Sequence, residues 1–60
     1  MNAKQKLFIA EYLRDSNASA AARRAGYSER TAGAIGHELL KKPEIAGAVR
    51  DAQAAAMTAG

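Results

Sequence analysis

Apolar residues near the start of the chain fall at positions 8, 9, 12 and 13, the three-and-four spacing of one helix face. Phe8, Ile9, Tyr12 and Leu13 therefore predict the buried stripe of a helix over about residues 3–14, with Lys4, Glu11 and Arg14 toward water. Asn2 is placed to cap its start, and Leu7 lies off the stripe and is expected to be exposed. Asp15, Ser16 and Asn17 form a polar turn, from which Ser16 or Asn17 can cap a second helix over about residues 18–25. On that helix Ala21, Ala22 and Ala25 put only methyl groups on one face, so another helix can cross it closely. Gly26 stands where a left-handed residue stops a helix without a Cβ penalty, and Tyr27 supplies an apolar plug directly after it.

Ser28 is the expected N-cap of a third helix over about residues 29–41, with Glu29 at its positive end. Ala32, Ile35 and Leu39 then point to the core, and Arg30, Gly33, Ala34, His37 and Lys41 lie toward the other side. Lys42 precedes a proline and is pushed out of the α region, while Pro43 and Glu44 suit the opening of a fourth helix. Ile45, Val49, Ala52 and Ala56 form a narrow stripe along it, of the bundle or coiled-coil kind. Beyond Ala52 the chain is rich in small residues, with Met57 its one large apolar side chain, and reads as a frayed tail or the start of something longer. No strand pattern and no internal repeat is present.

The pattern predicts an all-α fold, a small helix-turn-helix domain of three to four helices. Residues 1–42 form the helix-turn-helix core, and residues 43–60 a fourth helix. Two short helices joined by so short a turn cross at a large angle. The third helix is thereby held outward, in the posture that enters a DNA major groove.

Sixty residues give a marginal core, all the more because alanine supplies most of the hydrophobic 48%. A deep enzyme cleft is not expected. With no cysteine, disulfides and thiolate metal sites are excluded, and an intracellular setting is the default. No signal-peptide pattern opens the chain and no apolar run reaches membrane-spanning length, so the expected location is the cytoplasm, with no membrane partner. The net charge of +3 is uneven: residues 1–42 carry eight Lys/Arg against four acids, and residues 43–60 one against two. The basic excess coincides with the helix-turn-helix, as a nucleic-acid reader requires, although a plain solvated surface does the same.

DNA binding by such a motif has two separable parts. Lys and Arg neutralise phosphates, and side chains on the second helix of the motif read base edges. The phosphate candidates are Lys4, Lys6, Arg23, Arg24, Lys41 and Lys42, with Asn17 and Ser19 at the start of the second helix. The base-reading candidates are Ser28, Arg30, Thr31, Ala34 and His37, Arg30 foremost because a guanidinium engages guanine bidentately. Gly33 admits a phosphate or groove wall to the backbone, or is merely tolerated, and Gly36 permits close helix packing. Each candidate also has a plainer reading: Ser28 and Thr31 as caps, His37 as a solvent-facing side chain, Arg23 and Arg24 as ordinary surface charges.

Together these residues resemble a known family. The pieces K-Q-x-x-F-I-x-E-Y-L at residues 4–13 and N-A-S-x-A-A-x-R-A-G-Y-S at 17–28 are similar to the N-terminal domain of phage terminase small subunits. So are T-A at 31–32, I-G at 35–36 and L-L-K-K-P-E-I at 39–45. The resemblance covers about three quarters of the chain in the family's order and spacing. It implies a non-catalytic subunit without cofactor that binds double-stranded viral DNA at the packaging site and assembles into a homo-oligomeric ring. It also implies delivery of that DNA to a large subunit carrying ATPase and nuclease activities, in the cytoplasm of a bacterial host. The chain departs from the family pattern at Gly33, where a basic or larger residue is common, and at Glu38, where a basic one is, and both changes thin the positive charge of the third helix.

Two other readings stay open on sequence alone. One is a small helix-turn-helix transcription regulator or a fragment of one. The other is an adaptor that binds protein through the stripe at Ala52 and Ala56. An enzyme is not expected: there is no Gly-Lys-Ser/Thr phosphate loop, no carboxylate cluster and no supported nucleophile–histidine pair.

Overall fold

Asn2 starts the first helix with a reciprocal pair of bonds. Its side-chain oxygen accepts the Gln5 N–H at 2.8 Å, and the Gln5 side chain accepts the Asn2 N–H at 3.1 Å, a capping box. The computed structural model describes the backbone of residues 1–59 and the side chains of residues 1–56. The Met57 side chain and Gly60, the last residue of the expected 43–60 segment, lie outside the described residues. Four helices follow in order: α1 (Ala3–Asp15), α2 (Ala18–Arg24), α3 (Ala32–Lys41) and α4 (Pro43–Ala59). Among the described residues there is no strand.

Of the two residues that could cap α2, Asn17 does so, and Ser16 instead ends α1. Ser16 takes a left-handed conformation (φ 56°) and closes α1 through a 2.7 Å bond from its N–H to the Tyr12 carbonyl. Asn17 then caps α2, its side chain accepting the Ala20 N–H at 3.1 Å. Lys42 is extended, as the residue before a proline must be, and α4 opens at Pro43.

Phe8 and Ile45 are the largest fully buried side chains, and Ala21, Ala22, Ala25, Ala32, Leu39 and Val49 complete the core. Phe8 stacks on Tyr12 with ring centroids 5.9 Å apart. Helix α2 packs against both α1 and α3, and α4 returns to close the core against the same two helices. Along α4 the expected stripe is buried at Ile45 and Val49, half-buried at Ala52 and exposed at Ala56. Among the described side chains the core therefore ends at about the middle of that helix.

Two regions depart from expectation, the edge of α1 and the start of α3. Leu13 is 39% exposed and not part of the buried stripe. Helix α2 lies along the edge of α1 that carries Glu11 and Asp15, and Leu13, two residues past Glu11, is turned about 200° away. For the same reason Glu11 does not face open water: its side chain is only 18% exposed and meets α2.

The second correction concerns the start of α3, at Ala32 and not at residue 29. The Ser28 carbonyl accepts both the Thr31 N–H (3.1 Å) and the Thr31 hydroxyl (3.4 Å), closing a separate turn over residues 28–31. Thr31 occupies the N-cap position without a side-chain cap bond, and Ile35 N–H to Thr31 carbonyl at 2.8 Å is the bond that begins α3. Ser28 is thus not the cap, and Glu29 and Arg30 lie in the turn before α3.

Candidate nucleic-acid interface

The link from α2 to α3 is built by a glycine and two backbone bonds. Gly26 has φ +104°, its N–H bonds to the Arg23 carbonyl at 3.1 Å, and the Tyr27 N–H bonds to the Ala22 carbonyl at 3.0 Å. That pair is the Schellman arrangement, which satisfies the last carbonyls of α2 and turns the chain sharply. Tyr27 packs against the core directly after it. The Lys4 ammonium lies 5.1 Å from the centre of the Tyr27 ring, so α1 also grips this turn through a cation–π contact.

Past the turn, α3 crosses α2 at backbone contact distance. A Cβ on the buried Gly36 would stand 2.6 Å from the Ala18 carbonyl oxygen and 2.9 Å from its carbon, so only glycine fits there. One turn earlier, a Cβ on Gly33 would stand 3.0 Å from the Ser19 hydroxyl. Gly33 therefore faces α2, and the expectation that it lies on the outer side of the helix is corrected. The i, i+3 spacing of the two glycines puts both against α2. Ser19 and Gly33 are each half-buried in this contact.

The other candidates are exposed: Lys4, Lys6, Asn17, Arg23, Arg24, Ser28, Arg30, Thr31, Ala34, His37, Lys41 and Lys42. Exposure separates them less than their partners do. Asn17 spends its side-chain oxygen on the α2 cap. Lys41 pairs with Glu38 at 3.5 Å on the surface of α3. Arg24 turns back onto α1, with Nε 2.6 Å from Glu11 and Nη2 3.2 Å from Asp15. Among the described residues, Lys6, Arg23, Arg30 and Lys42 make no ion pair.

The clamp around Arg24 sets the local electrostatics. The Arg24 hydrogen bond, with the nearby Arg14 charge, holds the Glu11 carboxyl below its ordinary range against a smaller desolvation effect. Asp15 is held low first by the Asn17 backbone N–H, which donates to it at 3.2 Å, and then by Arg24. Arg24 is held still more firmly in its charged form, chiefly by Glu11. Sequence reasoning missed Glu11 and Asp15 as supports of the motif. Their i, i+4 spacing on one edge of α1, followed by a two-residue turn and a basic pair ending α2, was the available signal.

Among the described residues no group of His, Cys, Asp and Glu could hold a metal ion, and no helix is long and apolar enough to cross a membrane.

Comparison with known proteins follows the same line as the geometry. The family model described as terminase small subunit matches residues 1–59. The chain is 52% identical over 46 residues to the terminase small subunit of Bacillus phage SF6, and equally to that of Bacillus phage rho15. Each match covers 75% of this chain but 32% of the relative, so the chain spans about a third of the length of the curated relatives it matches. No solved structure matches it. A family match that runs through all four helices, with Gly26 and Gly36 doing the steric work of the motif, leads to one conclusion: this chain belongs to the terminase small subunit family.

Proposed function

We propose that this domain is the DNA-recognition part of a phage terminase small subunit, a non-catalytic protein that binds duplex DNA for genome packaging. Helix α3 and the turn at residues 28–31 form the reading surface, with Arg30, Thr31, Ala34 and His37 toward base edges and Ser28 beside them. Lys6, Arg23, Lys41 and Lys42 meet phosphates. Ser19 and Gly33 serve the α2–α3 contact, and Lys4 divides its charge between the Tyr27 ring and the backbone of the DNA. In the whole protein, copies of the domain are carried by a homo-oligomeric ring that delivers DNA to the large ATPase and nuclease subunit.

The observation that carries this reading is the locked crossing of α3 over α2. It leaves the side of α3 bearing Ala34 and His37 exposed, and Arg30 and Lys42, which flank α3 in the chain, are exposed and without an acidic partner among the described residues. Family membership favours packaging over the transcription-regulator reading, which shares the fold.

Titration of a labelled duplex with residues 1–60 at two salt concentrations tests it. The expected result is weak binding, with Kd of about 10⁻⁴–10⁻⁶ M at physiological salt, falling steeply as salt rises. The longer native chain should bind more tightly by roughly 10²–10⁴ through many linked copies. Nanomolar, sequence-selective binding by the isolated monomer would favour the regulator instead. No binding at low salt would defeat the DNA reading.

A further inference from the structure

Arg24 and Arg23 are neighbours in sequence at the end of α2, yet their surroundings differ in kind. Arg24 directs its donors back at α1: Nε to Glu11 Oε1 at 2.6 Å, and Nη2 to both Asp15 carboxylate oxygens and to the Glu11 carbonyl, each at 3.2 Å. Arg14 completes the cluster, donating to the same Glu11 oxygen at 3.2 Å. Two carboxylates and two guanidiniums leave the cluster without net charge. A phosphate approaching Arg24 would meet only Nη1, without the bidentate fork that makes arginine a good phosphate ligand, and beside two carboxylates that repel it. Arg23 is exposed and has no such pair among the described residues.

The clamp also sits where it has mechanical consequence. It joins the last turn of α2 to α1 just before the Gly26 turn, and α3 rests on the first turn of α2 through the Gly36–Ala18 contact. A change in the angle between α1 and α2 therefore carries α3 with it. Resting on the DNA-binding reading above, we propose that Arg24 is a positioning residue. The Glu11–Arg24–Asp15 clamp fixes how α2, and α3 seated on it, stand against α1, and Arg24 itself contacts no phosphate.

The test compares Arg24→Gln, Arg24→Lys and Arg23→Gln in the same chain, at a temperature where circular dichroism shows each to be folded. Duplex affinity is measured across a salt series. Lysine keeps the charge but not the planar fork, so a positioning role makes Arg24→Lys lose affinity nearly as Arg24→Gln does, by roughly two- to thirtyfold. The slope of log affinity against log salt should stay at the parent value for both Arg24 variants. It should shrink by about 0.9 for Arg23→Gln if that residue holds one phosphate.

Affinity kept in Arg24→Lys, or a slope reduced by about 0.9 in Arg24→Gln, would make Arg24 a phosphate contact and overturn the proposal. Parent-like affinity in a folded Arg24→Gln protein would also overturn it, because the clamp would then add stability alone. The helix angle is read separately. The chain has no native cysteine, so a spin label on the exposed Ala10→Cys site broadens amides of α2 and α3 according to distance. A parent that binds no duplex overturns the functional reading, and with it the DNA role proposed for Arg24. An altered broadening pattern in Arg24→Gln would then still support the clamp's hold on the helix angle, and an unchanged pattern would defeat that too.

Discussion

Helix α2 has two sides that are held by different physics. Toward α3 it offers backbone, methyl groups and Ser19 to two glycines, with a separation so small that one added carbon at position 36 meets a carbonyl oxygen at 2.6 Å. Toward α1 it contributes buried alanines against Phe8, and Arg24 reaches over the edge to a pair of carboxylates. The first contact is steric and cannot yield, because the opposing atoms are main chain. The second is an exposed charge network, directional but screened by salt and weak per pair. Thus α3 is fixed rigidly to α2, whereas the pair as a unit is oriented on α1 partly by charges. A fold with so small a core can place α3 accurately because the accuracy comes from glycine and close approach, not from bulk.

Gly36→Ala should show the largest effect on the steric side. Overpacking costs roughly 1–3 kcal/mol, and the 2.6 and 2.9 Å approaches to the Ala18 carbonyl group leave no side chain to rotate away. The gain of about 1 kcal/mol from replacing a helical glycine offsets only part of this. The expected outcome is a lower melting temperature together with loss of the proposed DNA binding, and a variant as stable as the parent would show that α2 and α3 do not approach so closely.

Gly26→Val tests the turn that feeds the same contact. At φ +104° a β-branched residue is strained, at a cost on the order of 1–3 kcal/mol, while the space around a new Cβ is ordinary, the nearest atom being Lys4 Cε at 3.5 Å. The loss should therefore come from backbone conformation alone. Chemical denaturation of the valine variant alongside Gly26→Asn separates the causes, since asparagine tolerates positive φ better. Equal losses for the two would point to crowding by Lys4 instead.

How far the sequence carried each side of α2 follows from what each depends on. The α2–α3 crossing was legible because it depends on residue types with few other uses: a run of alanines, Gly26 at a helix end, Gly36 inside a helix. The α4 start was legible for the same reason, through Pro43. The first turn of α3 was misread because Ser28 is a good cap by type. Its carbonyl was instead taken by Thr31, a competition between two local turns that residue preferences do not decide. Gly33 was turned to the wrong side because its partner is a hydroxyl on another helix. The Arg24 clamp was not read at all, since ion pairs across thirteen residues depend on how α1 and α2 lie together.

Gly47→Ala sharpens the steric half by removing its cause. Gly47 is interior to α4 and a Cβ there meets nothing within 4 Å. With the crowding gone, only helix propensity and chain entropy remain, and the substitution should stabilise by about 0.5–1 kcal/mol. A rise in melting temperature for position 47 and a fall for position 36, from one and the same substitution, isolates close approach as the cause. A fall at both would mean that α4 packs more tightly along that face.

Acid is the mildest probe, and it reaches only the charged side of α2. Glu11 and Asp15 are both held below their ordinary values of 4.5 and 3.8, so the folded protein binds their protons less readily than the unfolded chain does. For depressed carboxyls the stabilisation is complete above the unfolded values and is lost as pH falls through the folded ones. Melting temperature should therefore be flat from pH 7 to about 5 and decline below about 4. Arg14, Arg24 and the Asn17 N–H are the groups facing these carboxylates. The informative quantity is the difference between the parent and Arg24→Gln. That difference should shrink as pH falls, and it should shrink with added salt at neutral pH as well. A difference that stays constant down to pH 3 would mean that Arg24 stabilises the α1–α2 contact through the packing of its aliphatic stem, leaving its charge without a role there.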